Sequence, residues 1–423
     1  MGGNRPFGVD SALCVYTVHP VAWDQQNQRA NMSLFSNDQV NLDALRQKAF
    51  NFRWATLEQD VIPLTAADPD FPVAREISRA IADYCADGYF SYGPPDGLPA
   101  FKQAIAAWYE RTYQVPANPD FILPVNSAAY GLFTAANMIL SAGDNAIIPN
   151  PVDFLFRKAI EHTHAQVRAV EIDQTTAQFD LEKLSAAIDA NTKAIFICNP
   201  NNPLGIQPSP EHLRDILLLA AQHDLWVVSD EIWSDIYFNS PTTSIASRQL
   251  PYYAKRLIVS GLSKNFGLAG LRVGYVICPD EPTYRALFQA SKHQTTAFGM
   301  TGIAQVAGTA ALTLCDDWLD AFRKHLAYMR RLTLEFIENT PFFEPVVADA
   351  TYLAFPKIVH TNLNSAALVD IIHQKARVAL VPGGAAWFES ASEGRLRICY
   401  ATSEKILTES FDRIRKIASL IIA

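Results

Sequence analysis

The chain has 423 residues, 49% hydrophobic and 18% charged, with a formal net charge of −8 and an isoelectric point near 5.6. That length allows two domains and a sizeable core, and the acidic excess argues against a nucleic-acid or anionic-membrane partner, which would need a basic face. No apolar run is long enough to span a bilayer, and no apolar stretch follows Met1-Gly2-Gly3-Asn4-Arg5 as in a secretory signal, so a cytoplasmic protein is expected.

In chain order, residues 1 to about 45 are polar and aromatic with weak periodicity, and read as an arm that is flexible or wraps a partner subunit. Short apolar runs follow at 121–125, 146–148, 167–172, 194–198, 225–229, 257–260 and 273–278, each suited to a buried strand. Between them lie helix signals. Residues 130–140 carry one, and Ser209-Pro210 opens another, with proline at the first helical position and Leu213, Ile216, Leu217 and Ala220 as its buried stripe. Strands alternating with helices predict an α/β fold around a mostly parallel sheet. Such sheets bind ligands at the strand carboxyl ends, where Asn199, Asp230 and Lys264 fall. From about residue 300 helical patterns dominate, and Ser403-Glu404 opens the last helix, with Ile406, Leu407, Phe411, Ile414 and Ile417 at helical spacing. Cys14, Cys85, Cys198, Cys278, Cys315 and Cys399 show no metal-type or redox-type spacing. Cys198, Cys278 and Cys399 lie in apolar runs as small core residues, and no metal is expected.

The segment around Lys264 carries the most chemistry. It reads Ser263-Lys264-Asn265-Phe266-Gly267-Leu268-Ala269-Gly270-Leu271-Arg272 after the apolar run 257–259. An amine delivered to a strand end can form a Schiff base with an aldehyde cofactor. An arginine eight residues on can hold a phosphate of that cofactor. Three further motifs follow a fixed order: Asn199-Pro200-Asn201-Asn202-Pro203, Asp230-Glu231-Ile232-Trp233, and Arg395-Leu396-Arg397-Ile398-Cys399-Tyr400. Asp230 ends an apolar run and suits either a buried carboxylate with a charge partner or a helix N-cap.

Together these motifs resemble the class I and II pyridoxal-phosphate (PLP) aminotransferases, the aspartate aminotransferase superfamily, from about residue 50 to the C-terminus. The resemblance implies a fold-type-I architecture: a mostly parallel seven-stranded sheet between helices, with a smaller α/β domain built from both chain ends. Residues 1–75 would form the arm and part of the small domain, 76–300 the PLP-binding domain, and 301–423 the rest of the small domain. It implies that Lys264 holds PLP, that Asp230 partners the pyridine nitrogen, and that Asn202 donates to the ring oxygen. Ser127, Ala128 and Ala129 at a helix start, with Ser263 and Arg272, would cradle the phosphate, joined by Tyr92 of a partner subunit in a homodimer. Arg397 would bind the substrate carboxylate. Arg395 is the competitor, but Ile398-Cys399-Tyr400 follows Arg397 as in the family. The segments Ala67-Asp68-Pro69-Asp70-Phe71 and Val381-Pro382-Gly383-Gly384 resemble backbone elements that close on substrate.

Two residues depart from the family pattern. Trp233 stands where the family has a tyrosine, and an indole donates one hydrogen bond and cannot ionise. Asp153 in Pro151-Val152-Asp153-Phe154 stands where an aromatic side chain stacks on the cofactor ring. Either Asp153 faces the ring, which would favour a cationic substrate, or the loop shifts by one, Phe154 takes that place and Asp153 meets solvent; the shifted loop is preferred. The expected enzyme acts on an α-amino acid, by transamination with a 2-oxo acid. Asp-Glu-Ile-Trp-Ser-Asp and Arg53-Trp54 also resemble the cystathionine β-lyase-like branch, which implies elimination or cyclisation as the alternative. A non-catalytic regulator is disfavoured, because Lys264 is present and no basic arm or helix-turn-helix is visible.

Overall fold

The computed structural model describes residues 34–295 and 297–422, so the expected arm lies largely outside the described residues, as does Cys14. Among the described residues, nine strands occur before the carboxyl-terminal third: β1 (Ile62–Pro63), β2 (Ile122–Val125), β3 (Asn145–Asn150), β4 (Gln166–Asp173), β5 (Gln178–Phe179), β6 (Thr192–Cys198), β7 (Trp226–Asp230), β8 (Arg256–Gly261) and β9 (Gly274–Ile277). Eight of them form one sheet in the order β2-β9-β8-β7-β6-β3-β4-β5. Pairs from β4 through β8 are parallel, whereas β9 runs antiparallel to both β2 and β8. The seven expected strands are all present. The sheet gains an eighth, because the two-residue β5 folds back antiparallel on β4, and so short a strand leaves no periodicity in the sequence.

Alternation along the strands divides the core in two. Leu123, Ala146, Ile148, Phe196, Val228, Leu257 and Val276 pack on one face, against α1 (Ala128–Ile139) and α2 (Leu155–Glu161). Ile122, Ile147, Ile195, Val227, Ile258 and Tyr275 pack on the other, with α3 (Pro210–Gln222) and α4 (Gly302–Leu314). Helices on both faces explain why these strands read as continuous apolar runs. The Ser209 side chain caps α3 by accepting from His212 N, and Leu213, Ile216, Leu217 and Ala220 are buried as its pattern predicts.

The region after residue 300 is less helical than its sequence suggests. Besides α4, α5 (Asp316–Glu338) and α6 (Glu404–Lys416), it contains β10 (Phe343–Glu344), β11 (Leu353–Ala354), β12 (Lys357–Ile358), β13 (Val378–Ala379), β14 (Val381–Pro382) and β15 (Leu396–Cys399). Strands of two to four residues have no room to display alternation. β11, β15 and β14 form a small antiparallel sheet, while β13 pairs in parallel with β1 near the other end of the chain.

Candidate active site

The carboxyl ends of β6 and β7 and the turn after β8 open onto a cavity of about 330 Å³. It is lined by Ala67, Ser127, Ala128, Ala129, Asp153, Phe154, Asn202, Asp230, Trp233, Ser263, Lys264, Arg272 and Arg397. Every residue expected to contact cofactor or substrate, except Tyr92, is therefore brought to one place within a protomer, whereas Asn199 and the competitor Arg395 are not among the lining residues. Tyr92 is 88% exposed and lines a separate surface groove with Phe90 and Phe298.

Lys264 follows β8 by three residues. Its Nζ donates to the Ala67 carbonyl at 2.7 Å and lies 5.5 Å from the centre of the Trp233 ring. Burial holds the amine below the ordinary lysine range, and the Arg397 charge acts in the same direction. The Ala67 carbonyl also accepts from Tyr352 Oη at 3.1 Å. Behind this loop the buried Arg53 guanidinium pairs with Asp70, to which Trp54 also donates, and Arg53 reaches the Ala66 carbonyl. In this chain Arg53 and Trp54 fix the backbone that meets the lysine.

Asp230 terminates β7. One carboxylate oxygen accepts from Ile232 N at 3.0 Å, so the residue does make the local cap-like bond as well as lining the cavity. Burial, with a contribution from Asp153, pushes its carboxyl up to about 7. A ring nitrogen that carries a proton would relieve that penalty.

The start of α1 forms the opposite wall. Ser127 caps the helix through Tyr130 N at 3.1 Å, which leaves the Ala128 and Ala129 N–H groups ahead of the first intrahelical acceptor. Arg272, held in the left-handed region at φ 58°, donates to Ser127 Oγ at 3.1 Å. The backbone of Gly274 lies so close that a Cβ there would sit 2.3 Å from the Ser127 carbonyl carbon, so only glycine lets β9 seat this helix start beside Arg272. Free amides, a helix N-terminus and a guanidinium form an anion cradle.

Arg397 lies on β15. It donates to Asn202 Oδ1 at 3.0 Å and to the Thr65 carbonyl at 3.3 Å, and it packs 4.9 Å over the Phe388 ring. Arg395 precedes the strand, donates to the Phe355 carbonyl and does not line the cavity. Asp153 corrects the expectation of a solvent-facing carboxylate: it turns inward, accepting from Asn202 Nδ2 at 2.9 Å and from Leu155 N at 3.1 Å. Burial raises its carboxyl above the ordinary range, against the opposing pull of Arg397 and Lys264. Phe154 also lines the cavity, edge-on to Trp387 with centroids 6.1 Å apart, and Phe52 stacks on Trp387 at 6.5 Å. The loops bearing these rings are joined: Phe154 N donates to the Trp387 carbonyl at 3.0 Å, Val152 N to the Phe388 carbonyl at 3.2 Å, and Arg157 grips Glu389 through two hydrogen bonds. Phe52, Trp387 and Phe388 were not singled out in the sequence. Cys198, expected as a core residue, is buried but also lines the cavity floor.

Residues 59–414 match the model of the class I and II aminotransferase family. The chain belongs to that family. It is similar to aspartate aminotransferases from Pyrococcus horikoshii (26% identical over 369 residues, 86% of this chain and 92% of the relative) and from Bacillus sp. strain YM-2 (30% over 366 residues, 84% and 91%). Its structure resembles the aromatic aminotransferase of Pyrococcus horikoshii OT3, with a TM-score of 0.79 and 26% identity over 90% of this chain and 99% of the other. The protein is thus a PLP-dependent aminotransferase. The cavity fits the cofactor on its own terms: the aminotransferase offers a buried amine at Lys264, an anion cradle at the start of α1, and at Asp230 a buried carboxyl short of a cationic partner. No helix among the described residues is long and apolar enough to cross a membrane.

Proposed function

We propose that this aminotransferase moves the amino group of an α-amino acid to a 2-oxo acid at a site assembled in a homodimer. The observation that carries the reading is the convergence of Lys264, Asp230, Arg272 and Arg397 on one cavity. Lys264 would hold the cofactor covalently, Asp230 would keep its ring nitrogen protonated, and Asn202 would donate to its ring oxygen beside Trp233. Ser127, Ala128, Ala129, Ser263 and Arg272 would hold the phosphate. When bound, PLP supplies an electron sink for the electrons of the substrate α-carbon–hydrogen bond. The protein's part is then positional and protic. Arg397 orients the substrate through its α-carboxylate, and the Lys264 amine takes the α-proton and returns it as general base and acid. A lowered amine pKa suits that task, because a base must be neutral to accept a proton.

The homodimer reading is supported by the exposed aromatic group Tyr89, Phe90 and Tyr92, at 78%, 65% and 88% exposure, beside the 93–97 turn. Tyr92 would reach the phosphate of the partner's site. Pairing of β1 with β13 supports a small domain drawn from residues 1–75 and 301–423 beside a large domain of 76–300. A cytoplasmic location fits the acidic composition.

Elimination or cyclisation on an amino-acid side chain is the second reading. It keeps the same α-proton step and rests on the Asp230–Asp235 segment. Donor added alone to the holoenzyme tests the choice. Transamination releases one equivalent of 2-oxo acid per site and no ammonia, whereas continued turnover of donor alone, giving ammonia by elimination or a cyclised product, would replace this reading by the second. One charged lining residue, Asp153, has no task in either.

A further inference from the structure

We propose that Asp153, with the aromatic surfaces of Phe52, Phe154 and Trp387, forms a subsite for the cationic side chain of a basic amino-acid substrate. The inference rests on the aminotransferase reading and names its substrate class.

The argument is first one of charge. The cavity is lined by three cations, Lys264, Arg272 and Arg397, and two carboxylates, Asp153 and Asp230. The cofactor and the substrate α-carboxylate engage every one of these except Asp153. No lining cation of the protomer is left for the side-chain carboxylate of an acidic substrate, and the surplus group is negative. Both hydrogen bonds that Asp153 accepts come from neutral donors, the Leu155 N–H and the Asn202 amide. A half-buried carboxylate whose hydrogen-bond donors are both neutral gains from a cation.

Position adds to charge. Asn202 spans Asp153 and Arg397, so the carboxylate lies one side chain away from the guanidinium that takes the α-carboxylate. An amino acid held at Arg397 by one end can therefore present its other end to Asp153. The alkyl stem of such a substrate meets Phe154 and Trp387, and an aromatic face also attracts a cation. The rival role for Asp153 is to orient Asn202 alone. That role needs an acceptor and no charge, and an asparagine would meet it.

The test compares arginine with citrulline, a neutral side chain of nearly the same shape, as donors to the holoenzyme. Lysine, aspartate and phenylalanine complete the panel, each with the same 2-oxo acid as acceptor, and release of the donor's own 2-oxo acid gives kcat/KM. The parent enzyme should favour arginine over citrulline by about 10- to 100-fold, the worth of one charge-assisted hydrogen bond in a partly desolvated site. Asp153→Glu should keep a preference for arginine, and Asp153→Asn should bring the ratio toward one. A parent ratio near one, fastest release with aspartate or phenylalanine, or an unchanged ratio in Asp153→Asn overturns the subsite and leaves the aminotransferase reading intact. Ammonia released with continued turnover of every donor, no acceptor being present, overturns both. The parent ratio needs no variant, so a poorly folded Asp153→Asn protein does not block the test.

Discussion

Asn202 is held in one orientation by Arg397. A guanidinium only donates, so the Asn202 oxygen must face Arg397, at 3.0 Å, and its amide nitrogen must face Asp153, at 2.9 Å. One N–H of Asn202 is thereby engaged by Asp153, and the second is available for the proposed bond to the cofactor ring. Recognition at the two ends of a substrate thus passes through a single amide.

Lys264→Ala should abolish the borohydride-fixable bond to cofactor and lower turnover by at least about a thousandfold, because one side chain supplies both the covalent hold and the proton transfer. Peptide mapping after reduction checks it. A cofactor tag on another lysine would remove Lys264 from the centre of the site.

The shared-site reading predicts complementation. Lys264→Ala and Tyr92→Ala subunits should each be inactive or nearly so as homodimers. Mixed dimers should regain activity, since one of their two sites then carries neither substitution. Verified mixed dimers that stay inactive, or a monomer by light scattering, would rule out a contribution from Tyr92 across an interface.

Asp230 and Glu231 are adjacent, and burial pushes both carboxyls up to about 7. Their unfolded values are the ordinary 3.8 and 4.5. Between those values and about 7 the folded chain holds protons that the unfolded chain has released. Their contribution to stability is therefore greatest at low pH and falls as pH rises through that window, by up to about 1.4 kcal/mol per pH unit for each group. Melting temperatures of cofactor-free protein at about pH 5 and about pH 7 should show it, with a smaller drop in Glu231→Gln, which removes one titrating group and keeps its volume. Equal drops in parent and variant would mean that Glu231 is ionised throughout.

Arg53→Met should destabilise the protein by about 3–5 kcal/mol, because it leaves the Asp70 carboxylate buried without its cation. Chemical denaturation measures this. Replacing both residues, as Arg53→Met with Asp70→Leu, should recover part of the loss. A double variant no better than the single one would show that the pair matters for its shape and not its charge.

Much of this was visible in the sequence. The central strands are buried on both faces, so each reads as an apolar run, and Asp230 and Lys264 could be placed at strand ends from that pattern alone. The Asp153 orientation could not be read, because a loop has no periodicity to give the direction of a side chain. Phe52, Trp387 and Phe388 stand in no motif. They reach the cavity through contacts between segments more than 200 residues apart, such as Phe154 N to the Trp387 carbonyl. The short strands after residue 340 escaped for a third reason: two-residue pairings are set by their neighbours and not by their own composition.

The Arg157–Glu389 grip, with the backbone bonds beside it, ties the loop carrying Asp153 to the loop carrying Trp387. Arg157 is 34% exposed on its side chain, outside the cavity lining. On the proposed subsite, a substitution at Arg157 would touch neither cofactor nor substrate and yet reach the pairing of a charge with a ring from the protein surface.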